Sequence, residues 1–187
     1  MEKNQTSKIL MEDEQVLGTY RPNFWKLILT NVLIFIIFMA FLTIFFVLGE
    51  LTGEEMTTEF TANYPLIKGV VFGGVSLLFL LILGLQLLAY RNRFYTVTNK
   101  RLIIQRGLIG IDFQSIPLNA VQYLSVSVTV VDKILRQGTG TIVFGTMSTP
   151  VNPSQGAKFV FTNLNQVYEN YRYFKSLVDQ SSASSPK

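Results

Sequence analysis

The chain has 187 residues, 49% of them hydrophobic, a formal net charge of +4, and neither Cys nor His. The absence of His and Cys excludes Ser-His-Asp and Cys-His nucleophile systems, thiol redox chemistry and ordinary zinc sites. The length predicts one compact domain or slightly more, and we expect no metal site and no cofactor.

Two uncharged apolar runs predict a pair of transmembrane helices at residues 27–48 and 69–90. The first run has 22 residues, which as a helix span about 33 Å and so cross a ~30 Å hydrocarbon core. The rest of the chain is too small to enclose both runs as core helices of a soluble protein. A cleaved signal peptide is disfavoured because 26 mostly polar residues, segment 1–26, precede the first run.

The charges beside the two runs predict the orientation of this hairpin. Arg21, Lys26, Arg91 and Arg93 lie at the ends where the chain enters and leaves the hairpin, whereas the connecting residues 49–68 are acidic. The positive-inside rule therefore predicts an extracytoplasmic acidic loop at 49–68 and places both termini in the cytoplasm.

Two features inside the spans concern helix packing. Asn31 and Gln86 come at the same depth in an antiparallel hairpin, and we expect them to form an intramembrane hydrogen bond because an unpaired amide in hydrocarbon is costly. Gly69 and Gly73 form a G-x-x-x-G spacing, which fits either packing of the two helices on each other or dimerisation.

Residues 91–180 alternate between short β-rich runs and turns, which predicts a sheet domain. Asn99 and Lys100 suit a two-residue hairpin turn because Asn tolerates positive φ. A brief helical turn is predicted at 130–135. The predicted strands are residues 94–98, 101–106, 110–116, 121–128, 141–146 and 158–162.

A C-terminal amphipathic helix is predicted at residues 164–179, started by an N-x-x-Q capping box from Asn163 to Gln166. The serine-rich tail, residues 181–187, is expected to be disordered. In the N-terminal cytoplasmic segment, residues 14–22 are β-compatible, and we expect them to dock on the sheet as an extra edge strand.

The stretch "FYTVTNKRLIIQRGLIGIDFQSIPLNAVQYLSV" followed by "RQGTGTIVFGT" resembles the bacterial membrane-flanked pleckstrin-homology (PH) domain family. The resemblance implies an α+β chain: a two-helix transmembrane hairpin and a PH-like antiparallel β-sandwich or barrel closed by a C-terminal helix, in the bacterial cytoplasmic membrane. The positions that match the family pattern are Tyr95, Asn99, Arg101, Gly107, Pro117, Val121, Gly138 and Gly140.

PH-like folds host lipid, peptide and scaffold roles, so the resemblance leaves function open. We favour a non-enzymatic, membrane-anchored adaptor or scaffold that binds a protein partner or assembles with itself at the inner face of the membrane. The alternative is a sensor of anionic membrane lipids, because residues 91–187 hold 11 Lys and Arg against 4 Asp and Glu, a net charge of +7. The candidate lipid-facing residues are Arg91, Arg93, Lys100, Arg101 and Arg106.

Two other classes of function are disfavoured. No nucleic-acid-binding signature accompanies the basic charge, so we expect no nucleic acid partner. An enzyme would need an acid/base pair, and each carboxylate in the predicted domain is interpreted as a solvated charge. These carboxylates are Asp112, Asp132, Glu169 and Asp179.

Overall fold

The computed structural model describes residues 4–52, 58–146 and 159–183. The chain forms two compact units, one made of Met1–Leu27 with Leu88–Lys187 and one made of Ile28–Leu87. The first unit is therefore discontinuous in sequence.

Two long helices form the second unit and extend into the first. Helix α1 runs Phe24–Thr52 and helix α2 runs Thr58–Arg91. Within them, Phe24–Leu51 and Asn63–Arg91 are long and apolar enough to cross a membrane. Much of the connecting segment expected as a loop is thus helical.

Helices α1 and α2 contact each other near the ends of the apolar runs. The Tyr64 hydroxyl donates to the Phe46 carbonyl at 2.9 Å, and Lys68 Nζ lies 2.9 Å from Glu50 Oε1. Glu54 and Glu55 of the expected acidic loop fall outside the described residues.

The first unit contains two antiparallel sheets. The first has the order β1-β2-β3-β4 and the second the order β5-β6-β7. Strand β1 lies within residues 14–22 and pairs with β2, so that segment is an edge strand of the first sheet. The strands are β1 Val16–Tyr20, β2 Phe94–Thr98, β3 Arg101–Arg106, β4 Asp112–Pro117, β5 Tyr123–Ser127, β6 Gly140–Gly145 and β7 Phe159–Leu164.

The core lies between the sheets and is closed by the last helix. The Tyr95 ring on β2 stacks on Phe161 of β7, with ring centroids 4.6 Å apart, and Phe174 packs edge-on against Phe161 at 5.7 Å. Phe174 belongs to α4, Val167–Ala183, while the short helix α3 spans Val130–Leu135. Burial of these rings supplies much of the hydrophobic stabilisation.

The start of α4 corrects the sequence analysis. The helix begins at Val167 because Leu164, which the helical pattern included, is a core residue at the end of β7 with 1% of its surface exposed. The predicted capping box is therefore wrong, since Asn163 is a strand residue and has φ of 57°. Residues 181–183, expected to be disordered, belong to α4, and residues 184–187 lie outside the described residues.

Candidate functional site

The basic side chains of the β2–β3 hairpin lie at two opposite ends of it. Phe94 pairs with Gln105 in the strand register, so Arg93 and Arg106 come together at the end next to α2. Lys100 is in the turn at the other end, about 17 Å away across the five residues of β2. The five candidate residues therefore do not form one basic patch.

Arg101 is part of an internal ion pair, which corrects its interpretation as a lipid-facing residue. Its Nε and Nη2 each donate to a carboxylate oxygen of Glu14 at 2.9 Å, and Nη2 also donates to the Ile9 carbonyl at 2.6 Å. Burial opposes ionisation of Glu14, but donors from Arg101, the Met11 amide and Thr98 outweigh it and lower its pKa to about 2. The guanidinium of Arg101 is thus engaged within the fold.

Side chains hold the turn between β2 and β3. The sequence analysis chose Asn99 for this turn because Asn tolerates positive φ, but Asn99 does not have a positive φ. The Thr98 hydroxyl accepts from the amides of Lys100 at 3.3 Å and Arg101 at 2.9 Å. Asn99 Oδ1 accepts from the Gln15 amide at 2.9 Å, and Lys100 Nζ donates to the Glu12 carbonyl at 3.0 Å. This end of the hairpin is therefore a binding surface for the N-terminal segment.

The N-terminal segment, residues 4–15, covers the outer face of β2 and β3. The Thr6 hydroxyl lies 3.2 Å from that of Thr96, and the Gln5 amide donates to Gln105 Oε1 at 2.8 Å. Sequence analysis missed this cover. The signal was the presence of the apolar residues Phe94 and Ile103 on the outer face, because a sheet face open to solvent usually carries polar side chains.

A cleft lies at the end of the hairpin next to α2. It has a volume of ≈ 200 Å³, and two of its lining residues are the cations Arg93 and Arg106. The Tyr95 hydroxyl, 2.6 Å from the Thr162 hydroxyl, is also there. Arg91, the last residue of α2, is exposed. The lining residues are Arg93, Tyr95, Ile104, Arg106, Gln114, Val160 and Thr162.

The β3–β4 loop, which begins after the cleft residue Arg106, exposes two apolar side chains. Ile109 is 98% exposed and Leu108 43% exposed. Gly107 has φ of 153°, and a Cβ there would collide with the Gly110 carbonyl oxygen, so glycine is required for the tight loop. Asn92 Nδ2 donates to the Gly107 carbonyl at 3.3 Å, which fixes the base of the loop to the residue that follows α2.

Asp132 is buried, contrary to its interpretation as a solvated charge. Its Oδ1 lies 2.6 Å from Lys26 Nζ, and side-chain exposure is 6% for Lys26 and 0% for Asp132. Burial opposes ionisation, but Lys26 and the hydroxyls of Thr139 and Thr129 outweigh it and lower the Asp132 pKa. A carboxyl held ionised in this way is a poor general acid at neutral pH.

Several residues of the family pattern have packing roles. Val121 is 3% exposed in the core, and Pro117 ends β4 opposite Arg101. A Cβ at Gly140 would lie 2.9 Å from the Val167 side chain, so glycine allows α4 to approach β6. Gly138 has φ of 60°, and its carbonyl accepts from the Val167 amide at 2.8 Å.

The predicted amide pair and the glycine spacing both lie on the long helices. Asn31 Nδ2 donates to Gln86 Oε1 at 2.8 Å, as the hairpin register led us to expect. Gly69 and Gly73 have no atom within 4 Å of a Cβ built on them. Packing between α1 and α2 therefore does not account for the G-x-x-x-G spacing.

Comparison with protein-family models identifies the kind of domain. The family model for the bacterial PH domain matches residues 17–178. No curated protein matches the chain significantly. Among solved structures, a DUF1696 family protein with a pleckstrin-homology domain from Shewanella loihica PV-4 is similar, with 15% identity, a TM-score of 0.33, and coverage of 46% of this chain and 71% of that one. A pleckstrin homology domain from Shewanella amazonensis SB2B gives 15% identity, a TM-score of 0.34, and coverage of 46% and 66%.

Proposed function

Because the chain belongs to the bacterial PH-domain family, we propose that it is a non-enzymatic, membrane-anchored adaptor that binds a protein partner, or a second copy of itself, at the inner face of the bacterial cytoplasmic membrane. The two apolar helices anchor it. Residues 91–180, with β1, form the cytoplasmic domain, and the connection between the helices is extracytoplasmic. The basic residues at Arg21, Lys26, Arg91 and Arg93 support this orientation.

The edge of β5 is the observation that carries the adaptor proposal. Strand β5 ends the second sheet, and its outer edge has no hydrogen-bonded strand in the part of the chain that the structure describes. Helix α4 packs against this strand. Tyr123 on β5 is 36% exposed and Tyr168 on α4 is 58% exposed. An open strand edge that carries an exposed tyrosine supports binding by strand addition.

The test is capture of partners by the tagged full-length chain from gently solubilised membranes, quantified by mass spectrometry. The double variant Ser125→Lys, Ser127→Lys adds charge to exposed positions of the β5 edge and is expected to lose the partner. Ser176→Lys, an exposed position on α4, is the control and retains it. Equal capture by all three proteins contradicts the β5 edge, and recovery of lipid alone contradicts the adaptor.

A second candidate function, recognition of anionic lipid, is favoured by the cleft that holds Arg93 and Arg106. Replacing Arg91, Arg93 and Arg106 with Gln is expected to abolish preferential binding of anionic lipid and to leave the β5-edge complex intact. Lys100→Gln is the control, since this cation lies at the opposite end of the hairpin and contacts Glu12. Loss of the protein complex in the arginine variant would contradict the separation of the two surfaces.

A further inference from the structure

We infer that the partner at the β5 edge is a second copy of this chain. Strand β5 pairs antiparallel with β5 of that copy about a two-fold axis at Ser125, so that the two three-stranded sheets become one continuous sheet. The inference rests on the adaptor function proposed above, because it names the partner that binds the same edge.

The first support is a comparison of the sheet edges. Features that disfavour pairing are present at the other three edges: β1 has a register shift, β4 ends in Pro117, and the Thr162 amide of β7 donates to the Tyr95 hydroxyl at 3.1 Å. Bulges, prolines and covered edges are the usual means of preventing contact between sheets. Strand β5, by contrast, pairs with β6 in a regular register along its whole length.

The second support is the absence of charge around β5. Residues 113–131 contain no Lys, Arg, Asp or Glu, whereas residues 91–187 as a whole hold 11 Lys and Arg against 4 Asp and Glu, a net charge of +7. Two copies of a basic domain repel each other, so their contact requires a surface without cations. An uncharged edge also offers nothing that selects a partner of opposite charge. The β5 edge is therefore suited to a second copy.

The third support is that β5 complements itself. The strand has five residues, Tyr123–Ser127, whose side chains alternate between exposed and half-buried. A two-fold axis at the middle residue, Ser125, pairs all five and keeps the exposed side chains on one face. Tyr123 then lies opposite Ser127 of the second copy, and Leu124 lies opposite Val126. Leu124 and Val126 pack against the core, and pairing buries more of their apolar surface.

The fourth support is confinement of the two copies. The apolar helices proposed as the anchor keep both domains on the same side of one membrane. Two binding sites confined in this way meet at a high effective concentration. A short strand pair, which is marginal between soluble chains, is therefore sufficient here.

The natural absence of Cys allows a direct test by disulfide cross-linking of the full-length chain in membranes. Opposite Cα atoms of an antiparallel pair are about 4.5–5.5 Å apart, which a disulfide can bridge. Ser125→Cys is expected to form a disulfide-linked dimer several-fold faster under mild oxidation than Ser176→Cys. The control Ser176 is also exposed but lies on α4. Equal rates for the two variants overturn the inference.

A second measurement tests the register. With the axis at Ser125, the Ser127 residues of the two copies are about 14 Å apart, beyond the limit of about 7 Å for a disulfide. Ser127→Cys alone and Tyr123→Cys alone are expected to cross-link slowly. The two variants, coexpressed with different tags, are expected to cross-link with each other several-fold faster. Faster cross-linking of either variant alone overturns pairing about Ser125.

A third measurement tests the assembly without a disulfide. Photobleaching of single fluorescent fusions in vesicles at low protein density counts the copies in each complex. The wild type is expected to bleach in two steps and Ser125→Lys in one, because the lysine places two like charges opposite each other at the axis. Ser176→Lys is expected to keep two steps. One step for the wild type, or two steps for all three proteins, overturns the inference.

These outcomes separate the inference from the proposed function. If the double variant Ser125→Lys, Ser127→Lys loses a different captured protein and Ser125→Cys does not cross-link, the adaptor function stands and the second copy is the wrong partner. If neither capture nor cross-linking depends on β5, the edge itself is wrong and both proposals fall.

Discussion

Lys26 Nζ lies 2.6 Å from Asp132 Oδ1, and both side chains are almost completely buried. Lys26 is the third residue of α1, while Asp132 belongs to the short helix α3. The pair therefore joins segments that are far apart in the sequence, and three hydrogen bonds from Thr129 and Thr139 satisfy the rest of the carboxylate.

Removing one partner of this pair leaves the other as an unpaired buried charge. Asp132→Ala is expected to lower the free energy of unfolding by about 3–5 kcal/mol. The double variant Lys26→Met, Asp132→Leu is expected to cost less than the sum of its single variants. Denaturation of the detergent-solubilised chain, followed by fluorescence of Trp25, its one tryptophan, measures both. The exposed neighbour Lys133→Ala is the control, and additive costs contradict the pairing.

The low pKa of Glu14 predicts loss of stability in acid. Its pKa falls from 4.5 to about 2 on folding, so its contribution is complete above the unfolded value and is lost as pH falls from 4.5 towards 2. Glu14→Gln is expected to flatten the dependence of melting temperature on pH in that window. The exposed Glu12→Gln variant should keep the wild-type profile. If the melting temperature of both variants and of the wild type depends on pH in the same way in that window, the Glu14–Arg101 pair is contradicted.

Deleting residues 1–20 is expected to destabilise the domain strongly. The deletion removes β1, the partner of β2, and uncovers Thr96, Gln105 and the carboxylate-binding side of Arg101. The deletion therefore loses the hydrogen bonds between β1 and β2 and those that the segment makes to the hairpin, each contributing about 0.5–1.5 kcal/mol. The expected result is a large fall in melting temperature, whereas Thr6→Val, which removes only the hydroxyl that contacts Asn4 and Thr96, gives a smaller one. An unchanged melting temperature for the truncated chain contradicts the role of this segment.

A double-mutant cycle tests the hydrogen bond between Asn31 and Gln86. Asn31→Leu and Gln86→Leu are expected to show a coupling free energy of about 1 kcal/mol, the size typical of polar contacts between membrane helices. Refolding in mixed micelles measures it. Ser76→Ala is the control because the Ser76 hydroxyl donates within its own helix, to the Phe72 carbonyl. Zero coupling between the two leucine variants means that the hydrogen bond does not stabilise the hairpin.

Local patterns in the sequence predicted the regular elements well. The bounds of β2 and β3 agree with the sequence analysis to the residue. Apolar periodicity is a property of neighbouring residues, so it is visible without a fold. The prediction from periodicity was wrong at Leu164. This residue is the last core residue of β7, but its position also fits the helical period of α4, which follows directly.

The ion pairs could not be predicted in this way. Asp132 was interpreted as a solvated charge and Arg101 as a lipid-facing residue because their partners, Lys26 and Glu14, lie far away in the sequence, on the other side of most of the helical hairpin. A charge is buried only where such a partner reaches it, and the partner is set by tertiary structure. The same reason hides the cleft, which Arg93 and Arg106 form only once β2 and β3 are paired.

Placing the helical hairpin between β1 and β2 also sets an order for the events of biosynthesis. Strand β1 leaves the ribosome before either helix, whereas its partner β2 is made after both. Until then, β1 has no strand to pair with, and Glu14 lacks its donors Thr98 and Arg101. On the proposed topology, we expect β1 and β2 to pair only after both helices have inserted, because β2 then emerges on the same side of the membrane as β1. On the proposed topology, a chain with one helix uninserted leaves β1 and β2 on opposite sides of the membrane, so the two strands cannot pair.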